Sequence, residues 1–213
     1  MPRVTEILDY LKEPELVNWY RNNSRKKCDE ISQRAIRIGT EVDLLVQRDI
    51  RDGGYLLPEG EEAITNCMRA WEKFKKDCPS FVGDVKEIQI ELRDGELVGH
   101  PDFVMERERS YGIADLKCSR SIQPRYWTQV CQYLKMYQID RIANLKVIPP
   151  KTYFAGILRL DKEIGDYEYK EIVNFDYIHY EQEVFKAYEV AYYHNMKNRE
   201  QIRLMLEKEM LDA

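Results

Sequence analysis

Apolar positions recur at helical spacing through the first third of the chain, then give way to strict alternation near residue 85. Val4 to Leu11 and Pro14 to Arg21 predict two short helices. Asp29 to Ile50 predicts a long one, with Ile31, Ala35, Ile38, Val42, Leu45 and Val46 on one stripe and Gly39 inside it. Arg51-Asp52-Gly53-Gly54 ends that helix, and Glu59 to Asp77 forms another, closed by Cys78-Pro79. Val85 to Leu92 then alternates as a half-buried strand does, Leu97 to Met105 makes a second strand and Tyr111 to Lys117 a third. Pro124 to Asp140 returns to helical spacing, with Tyr126, Val130, Tyr133, Leu134 and Tyr137 on one side. Pro149-Pro150 breaks the chain before two strands, Lys151 to Leu160 and Asp166 to Val173. A terminal helix spans Asp176 to Leu211, with Tyr177, Tyr180, Val184, Tyr188 and Ala191 as its buried stripe.

The three central strands carry the chemistry. Asp94-Gly95 is a strong hairpin signal. As a two-residue loop it sets Arg93 opposite Glu96 and, further along the ladder, Glu87 opposite Asp102. The polar run Glu106 to Ser110 makes the next turn, and its centre is also the midpoint of Asp102 and Asp115. Opposed residues project from one face, so Glu87, Asp102 and Asp115 are expected side by side. Lys117 shares the face of Asp115, while Leu116 points the other way into the core. Pro101 cannot donate to a ladder and marks an edge or a bulge. Clustered carboxylates suit a hard divalent cation, and a lysine beside it suits attack on a phosphodiester.

Composition adds limits. The 213 residues fit one α/β domain with a helical N-terminal elaboration: a mainly helical part over 1–80, a sheet and helix over 81–175, and a terminal helix over 176–213. The chain is 44% hydrophobic and 33% charged, enough for a core in a soluble protein, with no apolar run that would span a membrane and no signal peptide. Five cysteines at unpatterned spacing read as reduced thiols in a cytoplasmic setting. A net charge of -5 argues weakly against a general nucleic-acid binder, though not against a locally basic site.

The order helix, three-strand meander, helix, strand, together with its residues, resembles the PD-(D/E)XK nuclease superfamily, in particular its RecB-like exonuclease branch. That branch includes phage exonucleases, the mitochondrial genome maintenance exonuclease and the four-cysteine CRISPR-associated nucleases. The elements that carry the resemblance lie within about residues 36 to 158: Gly39-Thr40-Glu41-Val42-Asp43, Glu87, Gly99-His100-Pro101-Asp102, Asp115-Leu116-Lys117-Cys118-Ser119 and Gln129-Val130-Cys131-Gln132-Tyr133. The helical motif of the branch usually ends in His where this chain has Asp43. No cysteine follows Cys131, so an iron-sulfur cluster is not expected.

The resemblance implies a restriction-endonuclease-like mixed sheet and a metal-dependent deoxyribonuclease. Asp102 and Asp115 would hold Mg²⁺ or Mn²⁺ with the Leu116 carbonyl, Glu87 completing the site and Asp43 as a further ligand. Lys117 would orient or deprotonate the water or neutralise the phosphate, and Gln129 would contact Lys117 or the phosphate. Tyr133, Ser119, Arg120 and Arg125 would meet DNA. So would the Arg21, Arg25, Lys26, Lys27, Arg34, Arg37 cluster, although a charge run is usually a solvated face. His100, between Gly99 and Pro101, reads as structural. The implied activity is exonucleolytic on DNA ends, in a bacterial or phage-infected cytoplasm, in recombination, repair or phage DNA processing. A recombination or single-strand-binding partner and a homo-oligomer are compatible with it. Its rivals are a structure-selective endonuclease on the same core and a DNA-end-binding or recruitment subunit with a decayed site.

Overall fold

The computed structural model describes residues 1–10, 14–108, 110–145 and 152–211. Helices α1 (Val4–Tyr10) and α2 (Pro14–Asn22) lead into the long α3 (Arg25–Asp52). The Ser24 side chain accepts the Lys27 N–H at the start of α3, and Gly53 closes it at φ 74°, the left-handed cap that glycine adopts without penalty. α4 (Glu62–Asp77) starts three residues later than expected and is followed by a short α5 (Ser80–Asp84) with no counterpart in the sequence reading.

A five-stranded mixed sheet runs in the order β1 (Val85–Ile88), β4 (Phe103–Arg107), β5 (Ser110–Lys117), β6 (Thr152–Leu160), β7 (Tyr167–Ile172). The β5–β6 pair is parallel and the others antiparallel, with α6 (Pro124–Leu145) making the crossover. The anticipated α/β class and its helix–meander–helix–strand order are therefore present. Pro149, Pro150 and Lys151 lie outside the described residues.

The meander departs from expectation in its first turn. Gln89 has φ 54°, which ends β1 and splits the expected long strand. The remainder forms a separate hairpin of β2 (Leu92–Asp94) and β3 (Leu97–Gly99). Asp94 pairs with Leu97, so the loop is Gly95-Glu96, one residue later than read. Gly95, at φ 59°, takes the first loop position, where a primed turn needs positive φ. A further register shift falls between Val85 and Glu87, so Glu87 opposes Val104 and not Asp102. The second turn follows the sequence: Phe103 pairs with Ala114, which brings Asp102 and Asp115 to adjacent strand positions just beyond the ladder's last pair.

Alternation on β4, β5 and β6 feeds two cores. Val104, Tyr111, Ile113, Ala155 and Ile157 pack with α1, α6 and the terminal α7 (Phe175–Leu211). Phe103, Met105, Ala114, Leu116, Phe154, Leu158 and Leu160 pack under α3, α4 and α5. The face of α7 differs from the one read: Ile178 and Phe185 are buried, while Tyr177 and Tyr180 are 39% and 62% exposed. The Tyr177 hydroxyl bonds Glu181, and the purely apolar side chains take the core. Among the described residues no helix is long and apolar enough to cross a membrane, and the five cysteines are free thiols.

Candidate active site

Three strand ends converge at one end of the sheet. β1 finishes at Ile88, β5 finishes at Lys117, and β4 begins just after Asp102. A cavity of about 430 Å³ opens there, lined among others by Asp43, Asp102, Asp115, Leu116, Lys117 and Gln129. Asp43 reaches it from α3, where neighbouring Val42, Leu45 and Val46 are fixed in the core. Gly39, one turn earlier, also lines the cavity, and a side chain there would meet nothing within 4 Å. Its lack of a side chain therefore widens the opening and serves no close packing. Gly99 is different, since a Cβ there would lie 2.8 Å from the Tyr133 ring.

Asp102 is tightly held. Its Oδ2 accepts the Leu116 backbone N–H at 2.6 Å and its Oδ1 accepts Gln89 Nε2 at 2.6 Å. Burial, then the nearby Asp115 and Asp43 carboxylates, push its carboxyl well above the ordinary range. Asp43 Oδ2 accepts Gln47 Nε2 at 2.8 Å and Gln89 Nε2 at 3.2 Å, whereas its Oδ1 is buried without a partner. Burial is also the main reason that the Asp43 carboxyl rises to about 6, with the Asp115 charge adding to it. Asp115 is 2% exposed; its Oδ2 contacts the Lys117 ammonium and has no other partner. Burial pulls the Lys117 ammonium down, but the Asp115 and Asp102 charges outweigh it and hold it above the usual lysine range. Its Nζ also stands 5.3 Å from the centre of the Tyr126 ring.

Gln129 donates to the Tyr133 hydroxyl at 2.9 Å on the α6 wall of the cavity, and burial raises the Tyr133 hydroxyl. Ser119 lines the same cavity and donates to the Ser121 carbonyl at 2.9 Å. His100 lines it too, with Nε2 3.6 Å from Glu91.

Other expected site residues stand elsewhere. Glu87 is exposed and does not line the cavity, because the Gln89 kink and the register shift carry it away from Asp102. Arg120 is 82% exposed, pairs with Glu163 at 3.0 Å and borders a neighbouring cavity with Arg34 and Lys162. Arg125 pairs with Asp9 at 3.2 Å and also lies off the carboxylate cavity. Within the basic cluster, Arg34 and Arg37 pair with Glu61, and Arg25 and Lys26 stand 4.0 Å from Asp29 and Glu30. Four residues not singled out from the sequence belong to the site: Gln89, Gln47, Arg3 and Thr5. Gln89 follows Glu87 by two, so the face argument used for Glu87 also reaches it. Arg3 has no such signal, because its place depends on the N-terminus docking beside β3, where Val98 N–H donates to the Pro2 carbonyl at 3.1 Å.

The donor set was weighed for a cation. Among the described residues no group of three or more His, Cys, Asp or Glu side chains converges to hold a metal. Magnesium commonly takes only one or two carboxylates and keeps several waters. A buried Asp43 oxygen without a partner, and an Asp115 oxygen met only by a lysine, supply such a pair in an all-oxygen setting. The residues present therefore fit Mg²⁺ or Mn²⁺.

No family model and no curated protein matches the chain. Among solved structures, it is similar to an alkaline exonuclease, LHK-Exo from Laribacter hongkongensis, at 10% identity and a TM-score of 0.40 over 94% of each chain. It is also similar to SSO0001, at 11% identity and a TM-score of 0.39 over 87% of this chain and 74% of that one.

Proposed function

We propose that this chain is a divalent-metal-dependent deoxyribonuclease that hydrolyses phosphodiester bonds from DNA ends. The observation that carries the reading is the meeting of Asp43, Asp102, Asp115 and Lys117 in one cavity at the sheet end. Asp115, Asp102 and Asp43 would hold the cation, with the Leu116 carbonyl at hand. The cation would supply an activated water and offset the charge gathering on the phosphate. Lys117 is held protonated by its carboxylate neighbours. That supports stabilisation of phosphate charge by Lys117 over a role as general base. Gln129 and Tyr133 form the facing wall, where the Tyr133 hydroxyl, kept protonated by burial, has a proton to donate to a phosphate oxygen. Action on ends, and a place in recombination, repair or phage DNA processing, follow from the sequence resemblance.

The test is digestion of end-labelled linear DNA beside closed circles with Mg²⁺ or Mn²⁺. Nucleotide release from linear DNA alone is the expected result. Cuts in closed circles would make it an endonuclease, and binding without cleavage under either metal would make it a recruitment subunit. Asp115→Asn should abolish cleavage with the fold intact by circular dichroism. Lys117→Ala should lose about two orders of magnitude in rate, with little change in DNA affinity in Ca²⁺.

A further inference from the structure

We propose that Gln89 is a positioning residue that clamps Asp43 and Asp102 together and so leaves the second Asp43 oxygen free for a cation; the proposal rests on the metal-site reading above. Gln89 is the one non-glycine residue at positive φ among the described residues, at 54°. Such a conformation is strained for a non-glycine residue and persists only where surrounding contacts enforce it. The contacts are here: Gln89 N–H donates to the Asp102 carbonyl at 3.2 Å and fixes the kink. The kink ends β1 and aims the side-chain amide between two acids that come from different elements. Its nitrogen donates to Asp102 Oδ1 at 2.6 Å and to Asp43 Oδ2 at 3.2 Å. An amide nitrogen has two N–H donors, and each finds one carboxylate.

The clamp decides which atoms stay free. Gln89 and Gln47 both donate to Asp43 Oδ2, so Asp43 Oδ1 is left buried and unpartnered. Gln89 does not itself line the cavity, although both acids do. It therefore holds the carboxylates from outside and leaves the cavity side open to a cation. Groups that hydrogen-bond metal ligands in this way set affinity by about ten- to a hundredfold.

The experiment measures Mn²⁺ binding without DNA, by calorimetry or electron paramagnetic resonance, in wild type, Gln89→Gly and Gln89→Leu. Glycine keeps the positive φ and removes only the amide; leucine keeps bulk and removes the donors. Both should bind Mn²⁺ tenfold or more weakly while unfolding cooperatively. Unchanged affinity overturns the clamp and leaves the metal site standing. Tighter binding also overturns it, because the amide would then compete with the cation. Absence of Mn²⁺ binding by wild type overturns the metal reading and this proposal with it. A second measurement needs no variant: in the metal-free wild type the Gln89 side-chain amide protons should exchange slowly with solvent, and free exchange overturns the proposal.

Discussion

Asp43 shows what burial does to a carboxylate. Its carboxyl titrates near 6, against 3.8 for an unburdened aspartate, chiefly because burial disfavours the charge. The folded chain thus holds this proton to higher pH than the unfolded chain does. Metal-free stability should therefore fall as pH rises through the window from about 4 to about 6, by on the order of 3 kcal/mol. Asp43→Asn cannot ionise, and its carbonyl can still accept from Gln47 and Gln89. Metal-free Asp43→Asn should melt higher than wild type at pH 8, show a flatter dependence of melting temperature on pH, and gain less from added Mn²⁺. A melting profile identical to wild type across pH would mean that the Asp43 carboxylate is solvated. The exchange is the familiar one in which a site poised for a ligand is less stable than its neutralised variant.

At the scale of elements, legibility followed the number of turns between a residue and its partner. Asp102 and Asp115 belong to one ladder with one short turn, so their meeting depends on a single register that the polar run Glu106 to Ser110 marks. Asp115 and Lys117 need only the strand's twofold period. Glu87 depends on the preceding hairpin, and there a kink at Gln89, a shift after Val85 and a one-residue change of loop all intervene. Nothing in the alternation of Val85 to Leu92 signals a glutamine at positive φ. The parallel β5–β6 pairing explains a glycine that sequence leaves mute. Gly112 pairs with Phe154, and a Cβ on it would lie 2.5 Å from that ring. The ring also carries the Arg107 guanidinium 4.1 Å from its centre, and Arg107 in turn holds Asp84 and Glu171. Gly112→Ala must displace the ring and disturb that stack. It should cost about 1–3 kcal/mol, seen as a melting temperature lower by roughly 2–12 °C. A wild-type melt would show that Phe154 has room to turn aside.

For the whole molecule, the two cores place opposed elements around one cavity. α3 brings Asp43 from one face of the sheet, and α6 brings Gln129 and Tyr133 from the other. The N-terminus closes a third side, because Val4, Ile7 and Leu8 are buried in the core shared with α6 and α7 and so pin Arg3 at the cavity wall. This arrangement could not be read from spacing, since it depends on where a short helix docks. It changes which cation is expected to meet DNA. The chain is acidic overall, at -5, and its cavity holds three carboxylates, so the DNA backbone flanking the scissile phosphate needs a positive charge beyond Lys117 that no carboxylate already offsets. Lys117 is engaged by Asp115, Arg120 by Glu163 and Arg125 by Asp9. Arg3 has no ion-pair partner among the described residues. Arg3→Ala should therefore weaken DNA binding in Ca²⁺ several-fold and reduce the dependence of log affinity on log salt by about one counterion. Arg120→Ala should do less, because it removes a charge that an exposed carboxylate already offsets and so frees Glu163 to repel the strand only weakly. The comparison is a salt titration of all three proteins on one oligonucleotide. Equal loss in both variants, or loss in Arg120→Ala alone, would move the DNA path away from the N-terminal wall and towards the cavity bordered by Arg34, Arg120 and Lys162.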